Sequence, residues 1–162
     1  MPWKTRVLVV ANRTLGSREL LRALGGRAEL GPVEFKLLVP ATPATSGDPH
    51  SGREAAKRQM REAVELLAAE GLDAEGRVGD PDPIVAVHEV WDPAEFDEVI
   101  VSTLPTGASR WLALDLPRRV GRITGAPVTH VVAADPASRP EPAVSAPPRH
   151  ADWTAVLTGR RP

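Results

Sequence analysis

The chain alternates between short apolar runs, typical of buried strands, and longer segments whose apolar residues recur every three or four positions, typical of helices. The strand-like runs are residues 6–11, 33–40, 74–78, 99–104 and 127–132. The weakest run, 74–78, is expected at a sheet edge. Because a helical segment separates each strand from the next, the pattern predicts an α/β fold with a parallel sheet and right-handed crossovers.

Capping residues and helix breakers bound four expected helices, over residues 17–24, 53–70, 82–91 and 115–124. Ser17, Asp80 and Asp115 are the expected N-terminal caps, because each carries a side-chain oxygen that can accept from a free backbone N–H. Gly25 and Gly125 are the expected breaks. The best amphipathic stripe belongs to 53–70, so this helix is expected to cover the core.

The length of 162 residues suits one domain with a tail. Residues 1–133 carry all the expected strands and helices. Residues 134–162 are rich in Pro, Ala and Ser, which predicts an extended or mobile tail. Its apolar segment 151–159 is a candidate docking segment, on the domain or on a neighbour.

Charge and composition exclude several classes of function. The formal net charge is −1, from 20 basic and 21 acidic residues, so no strong field attracts nucleic acid or an acidic membrane. No apolar run reaches the ~18–20 residues of a membrane span. The absence of cysteine excludes disulfides and thiolate metal sites and fits a cytoplasmic protein. The start of the chain reads as the first strand and not as a signal peptide.

No pattern of catalytic or metal-ligating residues stands out. The four histidines, His50, His88, His130 and His150, lack metal-ligand spacing. No nucleophile motif and no serine–histidine–aspartate order is recognisable. The sequence therefore predicts no metal site and no catalytic residues.

Three segments together carry a family resemblance. RVLVVANRTLGSRELLRAL resembles the first strand and helix of the universal stress proteins. GDPDPIVAVHEVWDPAEFDEVIVST resembles their third helix and fourth strand, and RRVGRITGAPVTHVV resembles their last helix and strand. The resemblance implies the adenine-nucleotide α-hydrolase-like fold: a three-layer sandwich with a five-stranded parallel sheet, order 3-2-1-4-5, and helices on both faces. Many relatives form homodimers through the last strand, and the same is expected here.

The glycine-rich motif of the ATP-binding relatives is missing. That motif is G-x-x-G, nine further residues, and then G-S or G-T. The resemblance places Val101, Leu104 and Leu114 on its three glycines and Asp115 on its Ser or Thr. A register slip by one residue does not restore the motif, because Gly107 is the only glycine between positions 101 and 119.

These substitutions disfavour ATP and AMP. The side chains of Val101 and Leu104 are expected to crowd the path that phosphates take along the backbone. Asp115, as a helix cap, is expected to place its own carboxylate where a phosphate would bind. Many ATP-binding relatives also have aspartate at the end of the first strand, where this chain has Asn12. No cofactor is therefore expected.

Polar residues nevertheless follow the first and fourth strands, whose carboxyl ends meet at one sheet edge. The candidate ligand-binding residues are Asn12, Arg13, Ser102, Thr103, Thr106, Gly107, Ser109, Arg110 and Asp115. In the functional interpretation, Arg110 makes a charge-assisted contact with a small anion. In the structural interpretation, these residues only form capped surface turns.

Three functions follow from the sequence. The leading hypothesis is a non-catalytic homodimeric scaffold or stress-response protein, with an unknown protein partner as a further option. The alternative is a binding module for a nucleotide or another small anion at the carboxyl ends of the first and fourth strands. The third hypothesis, a nucleotide-processing enzyme, lacks a recognisable base or nucleophile.

Overall fold

The computed structural model describes residues 3–41, 48–105, 107 and 109–134. Apart from Ala134, the predicted tail 134–162 and its segment 151–159 lie outside this part of the chain. The strands are β1 Thr5–Val10, β2 Val33–Pro40, β3 Ala74–Gly79, β4 Glu98–Thr103 and β5 Val128–Val132. The helices are α1 Arg18–Glu29, α2 Pro49–Ala69, α3 Pro83–Val90, α4 Arg110–Ala113 and α5 Leu116–Thr124.

All strand pairs are parallel, and the sheet order is β3-β2-β1-β4-β5. This confirms the fold class and the strand order predicted from the sequence, including the edge position of β3. In the register of the central pair, Val7 lies opposite Glu98 and Val10 opposite Val101. The order places β1 and β4 in the centre, with their following helices on opposite faces of the sheet.

Alternate residues of the strands enter two separate hydrophobic cores. On one face, Val7, Val9 and Phe35 pack with Leu20 of α1 and Leu67 of α2. The core on the other face joins α3 and α5 to the sheet and includes Leu8, Val10, Val87, Val101 and Val120. The central strands are apolar on both faces because both faces are covered, which explains their continuous apolar runs.

The first helix is longer than the sequence predicts. It passes through Gly25 and Gly26 and ends at Glu29, so the prediction that these glycines end it is wrong. A glycine costs a helix only about 1 kcal/mol relative to alanine. Tertiary contacts on both sides of the pair outweigh that cost, since Leu24 is fully buried and Ala28 packs against the core.

Arg27, in the last turn of α1, forms a two-pronged ion pair with Glu98 at the start of β4. Nε donates to Oε2 at 3.0 Å and Nη2 donates to Oε1 at 2.8 Å. The two side chains are 20% and 29% exposed. The hydrogen bond with Glu98 raises the pKa of Arg27. This pair locks the end of α1 to the beginning of a central strand.

Two other helix starts differ from the predicted positions. α2 begins at Pro49, four residues early, because Asp48 accepts a hydrogen bond from the His50 N–H at 2.9 Å. α3 is capped by Asp82 and not by Asp80, since Asp82 accepts from the Ile84 N–H at 2.8 Å. Asp80 instead accepts from the Asp82 N–H and orders the turn before the helix.

Candidate functional site

The two loops that follow β1 and β4 lie at the same edge of the sheet. Because the two strands are parallel neighbours, their carboxyl ends are adjacent, and their chains then leave toward opposite faces. In open α/β sheets such a switch point is the usual place for a ligand. The structure therefore brings the loop that holds Asn12 and Arg13 beside the loop that holds Ser109 and Arg110.

A buried pair of hydroxyl groups joins the first of these loops to β4. Thr14 Oγ1 lies 2.6 Å from Ser102 Oγ, and either atom can be the donor. Both residues are less than 5% exposed. Thr14 is not among the candidate ligand-binding residues, and its contact with Ser102 was not predicted, because nothing in the local sequence indicates which strand a loop threonine will face. Ser102 thus connects β4 to the loop after β1 and is shielded from solvent.

A pair between a hydroxyl and an imidazole lies one residue further along β4. Thr103 Oγ1 is 2.7 Å from Nε2 of His130 on β5. Thr103 is buried, and partial burial of the imidazole lowers the pKa of His130. The sequence analysis assigned His130 no role, since its partner lies 27 residues away along the chain.

This histidine makes stability depend on pH in a predictable direction. The folded state favours the neutral imidazole more than the unfolded state does, so the unfolded state binds more protons. We expect the contribution of His130 to be complete above about pH 6.5, the ordinary histidine value, and to be lost as the pH falls below it. When the pH is lowered from about 7.5 to about 5.5, the range in which histidine titrates, the melting temperature should fall. We expect this fall to be less steep for His130→Gln than for the native chain. Equal slopes for the two proteins would contradict this assignment.

The polar side chains at the rim mostly serve the local backbone. Asn12 Oδ1 accepts a hydrogen bond from the Arg13 N–H. Ser109 Oγ accepts from the Leu112 N–H at 3.2 Å and so caps α4, a short helix that the sequence analysis did not predict. The exposed side chains of Arg13 and Arg110 make no hydrogen bond or ion pair with the described residues. They are the charged groups of this rim that remain available to an anion.

The loop after β4 contains a tight turn. Gly107 has a φ of +95°, a conformation that glycine adopts at little cost and other residues rarely adopt. Thr106, another candidate ligand residue, lies outside the part of the chain that the structure describes.

Asp115 occupies the cap position of α5 but does not cap it with its side chain. Its backbone is left-handed, with φ +53°, and its carboxylate accepts no capping hydrogen bond. Proline stands in the first turn at position 117, and it lacks the N–H that a cap side chain commonly uses. The expectation that this carboxylate occupies the helix N-terminus is therefore wrong.

The resemblance assigns three positions to phosphate-binding glycines, and the side chains at these positions differ in burial. Val101 is fully buried in the core between the sheet and α5, and Leu104 is 5% exposed. Leu114, between α4 and α5, is 49% exposed. Two of the three side chains are therefore buried, and the third is half exposed.

Neither a metal cluster nor a membrane span is found in the described parts of the chain. Within residues 3–41, 48–105, 107 and 109–134, no three His, Asp or Glu side chains lie where they could hold a metal ion. In the same ranges, every helix is too short or too polar to cross a membrane.

A parallel sheet of order 3-2-1-4-5 with its switch point between β1 and β4 defines a doubly wound class of α/β proteins. Among solved structures, the chain is similar to a universal stress protein from Archaeoglobus fulgidus in complex with dAMP, with 16% identity over 81% of this chain and 99% of that one and a TM-score of 0.58. It is also similar to a universal stress protein in complex with cAMP, with 23% identity, 78% and 96% coverage and a TM-score of 0.53.

A universal stress protein family member from Arabidopsis thaliana with AMP bound is similar as well, with 17% identity, 85% and 97% coverage and a TM-score of 0.52. No protein-family model matches the sequence, and no curated protein matches it either. The chain thus has the fold of the universal stress proteins.

Proposed function

We propose that this chain is a divergent universal stress protein that acts as a non-catalytic homodimeric scaffold or stress-response protein in the cytoplasm. The observation that carries the proposal is Val101, which is fully buried in the core at a position where the ATP-binding relatives are expected to have glycine. Leu104 is buried as well. A phosphate chain cannot approach the β4 backbone in the usual way without displacing these side chains.

A nucleotide titration tests this proposal. ATP, AMP and cAMP are added to the full-length protein while the melting temperature is followed. A ligand that binds only the folded state stabilises it by RT ln(1 + [L]/Kd), about 2.7 kcal/mol at 100 times Kd, which raises the melting temperature by several degrees. We expect no such shift at a nucleotide concentration of about 100 µM, where a Kd of about 1 µM would give the full effect. A clear shift would overturn the loss of the usual nucleotide mode.

The second candidate function is the binding of a nucleotide or another small anion at the same edge by a different set of contacts. It is favoured by two exposed arginines, Arg13 and Arg110, whose loops adjoin the switch point. It is also favoured by the dAMP, cAMP and AMP in the similar structures. Because the Asp115 carboxylate does not cap α5, it does not occupy the donors of that helix.

Arginine substitutions distinguish the two candidate functions, because only an anion site at this edge predicts that they reduce a ligand-induced shift of the melting temperature. If an anion binds at the edge, Arg13→Gln and Arg110→Gln should each weaken binding, since each removes a charge-assisted contact worth about 1.5–3 kcal/mol, or roughly 10–100-fold in Kd. Arg22→Gln is a matched control, because Arg22 is exposed on α1. Equal effects of all three substitutions would indicate a nonspecific charge effect and contradict the edge site.

Dimer formation through β5 is the remaining part of the proposal. Within the described residues β5 pairs only with β4, so its outer edge presents backbone N–H and C=O groups without strand partners. Val132 on this strand is 47% exposed. An open edge with an exposed β-branched side chain suits pairing with the same strand of a second copy.

Sedimentation of the full-length protein and of Val132→Lys tests the dimer. We expect the native chain to sediment as a dimer and the variant to shift toward monomer, because a lysine on an edge strand opposes pairing. Leu66→Lys serves as the matched control, since Leu66 is 39% exposed on α2, which packs on β2 and β3. A native monomer, or a dimer that Val132→Lys leaves intact, would contradict the proposed interface.

A further inference from the structure

The solvent-facing side of α5 carries three arginines. Arg118, Arg119 and Arg122 are exposed, whereas Leu116 and Val120 on the opposite side are fully buried. Residues three and four apart are neighbours on a helix, so the three guanidinium groups form one patch, here called the arginine face. No salt bridge among the described residues includes any of the three.

The stability of α5 itself does not account for the whole arginine face: Arg122, in the last turn, suits the negative end of the helix dipole, but Arg118 does not. The first turn of the helix contains Arg118 and no acidic residue. The N-terminal end of a helix carries a partial positive charge, so an arginine there is unfavourable and a carboxylate would be favourable. A partner that supplies negative charge would compensate for this arrangement.

A compact acidic turn lies between α3 and β4. Asp92, Glu95 and Asp97 are exposed there and are here called the acidic turn. Hydrogen bonds to Asp92 fix its shape: Oδ1 accepts from the Ala94 N–H at 2.8 Å, and the carbonyl oxygen accepts from the Glu95 and Phe96 N–H groups at 2.9 Å. The Asp97 carboxylate accepts from the Arg6 N–H at 2.9 Å. Two of the three carboxylates are therefore held in place before any partner arrives, which lowers the entropy lost on binding.

The arginine face and the acidic turn lie on the same side of the sheet. α5 connects the end of β4 to the start of β5, so its last turn returns to the amino edge, where the acidic turn enters β4. Phe96 of the turn and Ile123 of the helix pack in the same core. Yet no ion pair within 4.0 Å joins the two surfaces inside one copy.

We propose that a second copy of this chain docks its acidic turn on the arginine face and receives the same contact in return. In a dimer with a two-fold axis, each contact occurs twice, because the acidic turn of each copy meets the arginine face of the other. This is possible when both surfaces lie on the same side of the molecule. Nucleic acid is the less suitable occupant, because the arginine face has no aromatic side chain on which a base could stack and the net charge is −1. The contact is separate from the proposed β5 interface and does not depend on it.

Charge reversal tests the proposal in full-length protein that also carries Val132→Lys, so that association through β5 does not contribute. We expect salt-sensitive association by sedimentation, stronger at about 0.05 M than at about 0.5 M ionic strength because salt screens exposed charges. The triple variant R118E/R119E/R122E should lose it, and so should D92N/E95R, which keeps an amide oxygen to accept from the Ala94 N–H. An equimolar mixture of the two variants should restore part of it, because the unchanged acidic turn of the first variant is complementary to the unchanged arginine face of the second.

The matched control is R53E/R58E/R61E on α2, which changes the net charge by the same amount on the opposite face of the sheet. It should associate like the parent. The proposal is overturned if the parent stays monomeric at low salt, if either reversal leaves association intact, if the mixture fails to associate, or if the α2 control loses association equally. Circular dichroism of each variant confirms that it is folded before sedimentation.

Discussion

Replacing Val101 with glycine should lower the free energy of unfolding by about 2–4 kcal/mol and should not create an ATP site. The substitution removes a fully buried side chain that packs with Val10 and Val120, and it leaves a cavity in the core beneath α5. Glycine in a strand also costs about 0.5–1 kcal/mol of conformational entropy. Chemical denaturation measures the loss of stability, and the nucleotide titration measures the lack of any gain.

The control for this variant is Leu114→Gly, which changes another position assigned to a motif glycine. Leu114 is 49% exposed and lies outside regular helix, so a loss below about 1 kcal/mol is expected. If Val101→Gly were as mild as Leu114→Gly, the Val101 side chain would not be essential to the core beneath α5. If Val101→Gly bound ATP with micromolar affinity, the Val101 side chain alone would close this edge, and the expectation that no ATP site is created would be wrong.

Removing Arg27 is the second change with a large expected effect. Arg27→Met keeps the apolar stem but leaves the Glu98 carboxylate partly buried without its two donors. We expect the free energy of unfolding to fall by about 1–3 kcal/mol, between the values for exposed and fully buried pairs, because the side chains are only 20% and 29% exposed. The measurement is equilibrium denaturation of the native chain and the variant.

The exposed pair Lys4–Asp73 provides a matched comparison. Its side chains are 51% and 61% exposed, so Lys4→Met should cost less than about 1 kcal/mol. Adding Glu98→Gln to Arg27→Met should recover part of the loss, because it removes the charge that lacks a partner. If Lys4→Met and Arg27→Met proved equally costly, burial would not be what strengthens the Arg27 pair.

Apolar runs predicted the sheet well because β1, β2 and β4 are buried on both faces, a state that leaves a clear signal in the sequence. Local capping rules were less reliable. They failed at Gly25 and Gly26, where packing of α1 outweighs local preference, and at Asp115, where a following proline and a left-handed backbone prevent side-chain capping.

The sequence predicted where the candidate site lies in the fold but not which side chains contact each other there. The strand order brings the loops of Asn12 and Ser109 to one edge, as the alternating pattern indicated. The partners of Ser102 and Thr103 could not be predicted, because Thr14 lies 88 residues before Ser102 and His130 lies 27 residues after Thr103. Such pairs depend on sheet register, which no local pattern in the sequence specifies.

The central pairing of β1 with β4 has a consequence for the growing chain on the ribosome. β1 is the first strand to be synthesised, but its neighbour on one side is β4, and the Thr14–Ser102 contact across them spans 88 residues. At a synthesis rate of about 5–20 residues per second, these 88 residues take on the order of 4–18 s to be made, and during that time the apolar edge of β1 lacks its β4 partner. During that interval the β4-facing edge of β1 has no native partner and is exposed to pairing with other nascent strands.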